Sequence, residues 1–254
     1  MSRGNSYDDV TRAQAYARLE FPGTYYLAFR DLPDIIAANV TGRRGLDFGC
    51  GAGRSTAFLK RLGFEVVGID ISPSMIELAR KADPGGSYQL IEEADFGGLP
   101  AGGFDLILSA FAFDNIPDVA GRVRVLCGLR ELLCPGGRII VLGSTPEVYT
   151  HEWASFTTRQ FAANRTARSG DAVQIVIKDV ADQRPVTDYL WSHEDYLRLF
   201  SAAELEVLDC HKPLGRDDEP QRWEAELTTA PWVIYVLRRS QSASRAESRA
   251  GASR

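Results

Sequence analysis

Cysteine is scarce and scattered. The four thiols, Cys50, Cys127, Cys134 and Cys210, form no C-x-x-C pair, so free thiols in a reducing cytoplasm are expected rather than a disulfide framework, and no metal site is expected. Apolar runs are short. None approaches the roughly 20 residues that span a bilayer, and the opening Met1-Ser2-Arg3-Gly4-Asn5 lacks the apolar region of a signal segment. A cytoplasmic chain with no membrane partner is expected. Positive charge is in the minority: 29 Lys and Arg face 34 Asp and Glu, a formal net charge of −5. That balance gives no basic footprint for nucleic acid or an anionic membrane and accommodates small neutral or cationic partners more easily. At 254 residues the chain is long enough for one large α/β core.

What the chain does have is a glycine-rich turn. In Leu46-Asp47-Phe48-Gly49-Cys50-Gly51-Ala52-Gly53-Arg54 a short apolar run ends in an acid, turns through three glycines and opens into a helical pattern. This is how a parallel strand brings main chain up to a ligand at the start of a helix. Gly49 and Gly51 permit the tight turn and a close approach of backbone to ligand, and Gly53 lets the helix pack on the strand. Dinucleotide sites read G-x-G-x-x-G. Here the third glycine comes one residue early, which points away from a pyrophosphate.

Around this turn the pattern alternates strand and helix. Strands are predicted over 45–48, 65–69, 88–92, 104–109 and 138–142, and helices over 54–62, 73–82 and 119–133. Ser72 is an N-cap with Pro73 at the first helical position. Such alternation implies a parallel sheet with helices on both faces, its ligand beyond the carboxyl ends of the strands. Asp47, Asp70, Asp95 and Ser109 all sit at predicted strand ends.

The order and spacing of these motifs resemble the class I S-adenosylmethionine-dependent methyltransferases, across roughly residues 44 to 144. The glycine turn is similar to their motif I, Val66-Val67-Gly68-Ile69-Asp70 to the strand whose terminal acid holds the ribose hydroxyls, Glu93-Ala94-Asp95-Phe96 to the adenine-binding turn, and Phe104 to Ser109 to motif IV. The resemblance implies a Rossmann-like seven-stranded, mostly parallel sheet with an antiparallel last hairpin, an N-terminal helical lid and a cap inserted after strand five. It implies domain limits of 1–43 for the lid and 44–239 for the catalytic unit with its insertion at about 145–192; residues 240–254 hold almost nothing apolar beyond alanine and are expected to be a disordered tail. S-adenosylmethionine is the implied cofactor, with S-adenosylhomocysteine as product. Its implied contacts are Asp47, Gly49, Cys50, Gly51, Asp70, Ile71, Met75, Asp95, Phe96, Ser109, Ala110 and Phe111, with Tyr26 in the roof and Arg30 at the cofactor carboxylate.

Methyl transfer from a sulfonium draws its reactivity from the cofactor, so the protein mainly aligns the partners. A base is needed only when the nucleophile must lose a proton. His151, beyond strand five and beside Glu152 and Trp153, is the first candidate, with Tyr25 and Asp114 as further catalytic candidates. Asp114 has a plain alternative as a turn cap before Pro117. Asn115, Trp153 and Phe156 are candidates for substrate contact, and the aromatic supply points to an aromatic or apolar acceptor such as an indole or phenol. A monomer or homodimer acting on a small molecule in secondary metabolism is the leading reading. An NAD-dependent oxidoreductase and a non-catalytic cofactor-binding protein are the alternatives. A nucleic-acid methyltransferase is disfavoured, because Phe111-Ala112-Phe113-Asp114 does not resemble the amino-methylating N/D-P-P-Y/F sequence.

Overall fold

A computed structural model describes residues 23–240. Residues 1–22 of the expected lid and residues 241–254 of the expected tail lie outside the described residues.

Among the described residues two short helices come first, α1 (Thr24–Arg30) and α2 (Leu32–Asn39). The alternating unit follows: β1 (Arg44–Phe48), α3 (Arg54–Arg61), β2 (Glu65–Asp70), α4 (Pro73–Ala82), β3 (Ser87–Leu90), β4 (Phe104–Ala110), α5 (Val119–Leu132) and β5 (Leu133–Ser144). An insertion carries β6 (Phe156–Thr157), β7 (Ala172–Ile177) and β8 (Val186–Tyr189). The chain returns through α6 (His193–Ala202), β9 (Leu205–His211) and β10 (Trp232–Arg239). Ser72 caps α4 as expected, its hydroxyl accepting from the Met75 amide.

The main sheet has the order β3-β2-β1-β4-β5-β10-β9. Pairs from β3 through β5 are parallel. β10 runs antiparallel to both β5 and β9, which closes the sheet with the expected hairpin. β6, β7 and β8 form a separate antiparallel sheet.

Period-two alternation sorts the central strands between two cores. Leu106 and Leu108, Ile140 and Leu142, and Trp232, Ile234 and Val236 face α1, α2, α3 and the small sheet. Ile107, Ile139, Val141, Val233 and Tyr235 face α5 and α6. α1 and α2 are therefore a packed part of the first face, with Leu27, Ala28 and Leu32 fully buried.

The insertion is fastened to this face by a buried carboxylate. Glu226, between β9 and β10, accepts from Thr24 Oγ1 at 2.6 Å and from the Ala154 amide at 2.8 Å. Ser155 and Thr24 exchange two further bonds, and the Trp232 indole donates to the Thr24 carbonyl. α1, the insertion and β10 thus meet at one point, which is also one wall of the cavity described next.

Candidate functional site

Gly49, Gly51 and Gly53 all have positive φ, at 70°, 53° and 90°. The Gly49 and Cys50 amides donate to the Ile69 carbonyl, and the Gly51 amide donates to Asp70 Oδ2 at 2.8 Å. The turn is thereby held against the end of β2. At Gly51 a side chain would meet little besides Met75 Sδ at 3.9 Å, so a ligand can lie directly on the main chain there. Gly53 differs: a Cβ would stand 2.9 Å from the Tyr88 hydroxyl, and its bareness serves packing.

Asp70 is held on both sides, its Oδ1 accepting from the Ser72 amide at 2.8 Å. Each carboxylate oxygen has a second lone pair, so two neighbouring hydroxyls find acceptors already oriented. Ile71, next in the chain, is 48% exposed, an apolar surface that a flat ring would cover. The Asp95 carboxylate lies in an exposed turn and accepts from the Gly97 amide at 2.8 Å. Met75 is buried beside the loop. The open face at Gly51, the fixed carboxylate and the bare apolar surface fit an adenosyl group.

Several candidates stand elsewhere. Asp47 is fully buried beneath the loop, where Oδ2 accepts from Ser55 and Thr56. Burial pushes its carboxyl up to about 6, against the pull of those hydroxyls. It shapes the turn from below. The Cys50 side chain packs with Ile76, Ala79 and Tyr88, and burial raises its thiol pKa. Arg30 is already engaged: it pairs with Asp31 and Glu219 and donates to the Leu214 carbonyl, so it does not await a cofactor carboxylate. Tyr26 stacks on Trp223. Phe96 turns its ring toward Phe48 and the bare Gly128 of α5. Ser109 is fully buried and its hydroxyl has no hydrogen-bond partner among the described residues, and Ala110 is partly buried at the end of β4.

Beyond β4 and β5 lies a cavity of about 360 Å³, counted to its open mouth, lined by Tyr25, Phe111, Asp114, Asn115, Phe156, Asp188 and Trp232, with other residues. Most of that figure is open space at the mouth; the enclosed part is about 30 Å³, the room taken by a water or two. Its aromatic wall is continuous. Tyr25 stacks on Trp232 at 5.7 Å, while Phe111 and Phe156 meet Trp232 edge-on at 4.8 and 5.6 Å. Phe111 holds φ 62°, a strained conformation for a bulky residue. Its amide donates to the Leu142 carbonyl, and its own carbonyl accepts from Asn115. Asp114 is no turn cap: it accepts from the Ser144 amide and, at 2.8 Å, from the Ser144 hydroxyl.

His151 and Trp153 are not among the lining residues. His151 is exposed, its Nδ1 beside the Thr150 hydroxyl and Glu147 carbonyl. Trp153 is fully buried and donates to the Val148 carbonyl at 2.9 Å. As a prediction, His151→Ala leaves turnover and its pH profile within about twofold of wild type, since a surface change away from special features costs little. A profile that loses one limb in this variant would return His151 to the reaction.

Sequence reasoning missed Asp188, Ser144, Trp232 and Arg54. Asp188 had a legible signal, because alternation along Val186-Thr187-Asp188-Tyr189 puts the acid on the buried face with Val186. Arg54 opens α3, and its guanidinium lies 5.3 Å over the Tyr25 ring. That contact puts a cation against one of the rings that line the cavity. Among the described residues no group of three or more His, Cys, Asp or Glu could hold a metal ion, and no helix is long and apolar enough to cross a membrane.

The strand order, the antiparallel β10 and the glycine turn beside an acid at the end of β2 define a class I methyltransferase fold. The chain is similar in fold and in sequence to the class I S-adenosylmethionine-dependent methyltransferases. A family model described as a methyltransferase domain matches residues 46–141. Among relatives, the N-demethylindolmycin N-methyltransferase of Streptomyces griseus is 29% identical over 78% of this chain and 84% of its own length. Aklanonic acid methyltransferase DauC of Streptomyces sp. (strain C5) is 36% identical over 41% of this chain, which spans about half of that relative. The solved CcbJ methyltransferase of Streptomyces caelestis shares the fold with a TM-score of 0.63 at 21% identity, covering 93% of this chain and 98% of that one.

Proposed function

We propose that the protein transfers the methyl group of S-adenosylmethionine to a small metabolite carrying an aromatic or apolar body, in the cytoplasm and within secondary metabolism. The observation that carries this reading is the pairing of the Gly51 and Asp70 cradle with an aromatic cavity just beyond the same strand ends. Bound S-adenosylmethionine supplies an electrophilic methyl on a positively charged sulfur.

The chain's own work is placement. Asp70 and the open main chain at Gly51 hold the adenosyl end. Ile71 covers the base, Asp95 accepts its amino group, and Arg54 takes the carboxylate. Tyr25, Phe111, Phe156 and Trp232 enclose the acceptor and exclude water. Their π faces also favour a positive charge close by. Alignment of this kind can contribute on the order of 7–11 kcal/mol to lowering a barrier. In this reading α1 and the 145–192 insertion are the two movable walls of the acceptor chamber. Homologous activities support the small-molecule class: the named relatives act on N-demethylindolmycin and aklanonic acid.

Calorimetric titration with S-adenosylmethionine, S-adenosylhomocysteine and NAD tests the reading. Binding of the first two without NAD is expected. Preference for NAD would overturn it and require a hydride-transfer set around Asp70. Tight cofactor binding without methyl transfer to any acceptor in a broad aromatic panel would favour a non-catalytic binding protein.

A further inference from the structure

The acceptor cavity contains two carboxyls as well as aromatic rings. Asp114 follows β4 and Asp188 lies on β8 of the insertion, and both line the same space. Asp188 is 8% exposed. Its Oδ2 accepts from the Tyr149 hydroxyl at 3.3 Å, while its Oδ1 accepts no hydrogen bond among the described residues. Asp188 is largely buried and lines the cavity, so a ligand N–H that reaches this open oxygen gains a charged acceptor in a poorly solvated place.

The surrounding charges are few. Arg122 of α5 is fully buried, donates to the Ile116 carbonyl and the Tyr196 hydroxyl, and lies over the Trp191 ring at 4.4 Å. Its positive charge favours the ionised form of Asp114. Tyr149 and Tyr196, which face the pair from the turn after β5 and from α6, are held neutral by burial. Burial raises both carboxyls, and Asp114 raises Asp188 further. One guanidinium therefore balances one carboxylate, and the second carboxyl keeps a proton until another cation arrives.

Resting on the methyltransferase reading above, we propose that the acceptor presents a basic amine to this cavity, and that the Asp114–Asp188 pair receives its ammonium group and takes its proton. The ammonium enters as the pair gives up its own proton to solvent, so the charge count stays neutral. One N–H proton then passes to a carboxylate oxygen and leaves a nitrogen lone pair. The nitrogen forms the new N–C bond as the S–C bond of bound S-adenosylmethionine breaks, with the bonding pair going to sulfur. The nitrogen becomes a methylammonium, and the carboxylate and aromatic faces stabilise this cation. The proton on the pair returns to solvent. A phenol or a carbon nucleophile creates no such cation, and the second carboxyl would then simply keep its proton.

Binding without turnover tests this. Phenethylamine and tryptamine are titrated against 2-phenylethanol and tryptophol, in the presence of S-adenosylhomocysteine and in buffers of different ionisation enthalpy at pH 7. The amines are expected to bind at least about tenfold more tightly than the alcohols, with release of about one proton. Amine affinity should rise about tenfold per pH unit wherever the empty pair holds its proton. Asp188→Asn, which keeps the shape, should cut the amine preference below about threefold while leaving S-adenosylhomocysteine affinity unchanged. Equal binding of amines and alcohols, no proton release, failure of both amines to bind, or an unchanged preference in Asp188→Asn overturns the proposal. If Asp188→Asn does not fold, the proton count of the unaltered protein decides. Failure of the unaltered protein to bind S-adenosylhomocysteine would overturn the methyltransferase reading itself.

Discussion

Asp70→Ala should weaken S-adenosylmethionine binding by on the order of 10²- to 10⁴-fold. Two hydrogen bonds from ribose hydroxyls to a carboxylate contribute about 1.5–3 kcal/mol each, and this variant removes both acceptors. A second effect acts in the same direction. The Asp70 carboxylate also receives the amides of Gly51 and Ser72, so its loss loosens the Gly51 end of the glycine turn, which the Ile69 carbonyl still holds at Gly49 and Cys50. Asp70→Asn keeps one carbonyl oxygen and the side-chain volume, and should fall between wild type and alanine. Calorimetric titration checks both variants. Wild-type affinity in Asp70→Ala would remove the cradle from the cofactor site.

Trp153→Ala should lower the folding free energy by about 3–5 kcal/mol, the range for truncating a large buried aromatic. The indole is fully buried among residues of the first face, and its N–H is bonded to the Val148 carbonyl. A typical domain has only about 5–15 kcal/mol in total, so the variant should unfold at clearly lower denaturant. The protein that remains folded should bind S-adenosylmethionine as wild type does, because the cradle at Gly51 and Asp70 lies in the sheet's own turns. Denaturant unfolding and calorimetry separate these effects. Unchanged stability with lost acceptor binding would reassign Trp153 to the substrate.

His151 and Trp153 show why sequence reasoning failed in this stretch. The segment from Pro146 to Phe156 is a 3-10 turn and a tight reversal. With neither a 3.6 nor a 2.0 period, nothing tells which neighbour faces inward. The aromatic residue turned into the core and the imidazole turned out. Arg30 misled for another reason: its partners Leu214 and Glu219 lie far along the chain, and no local pattern announces a distant acid.

The sequence by itself determined the central strands and helices, the glycine turn and the place of Asp70. Each depends on one stretch of chain: apolar periodicity defines the element, and glycine, proline and serine mark its ends. Tertiary structure decided the acceptor cavity. Tyr25, Phe111 with Asp114, Phe156, Asp188 and Trp232 come from five separate segments. They meet because β10 inserts beside β5 and the small sheet folds back over the strand ends. Periodicity fixes which way a side chain points from its own element. Which other elements it then faces depends on how sheet and insertion pack, because burying both apolar faces at once is a property of the whole chain.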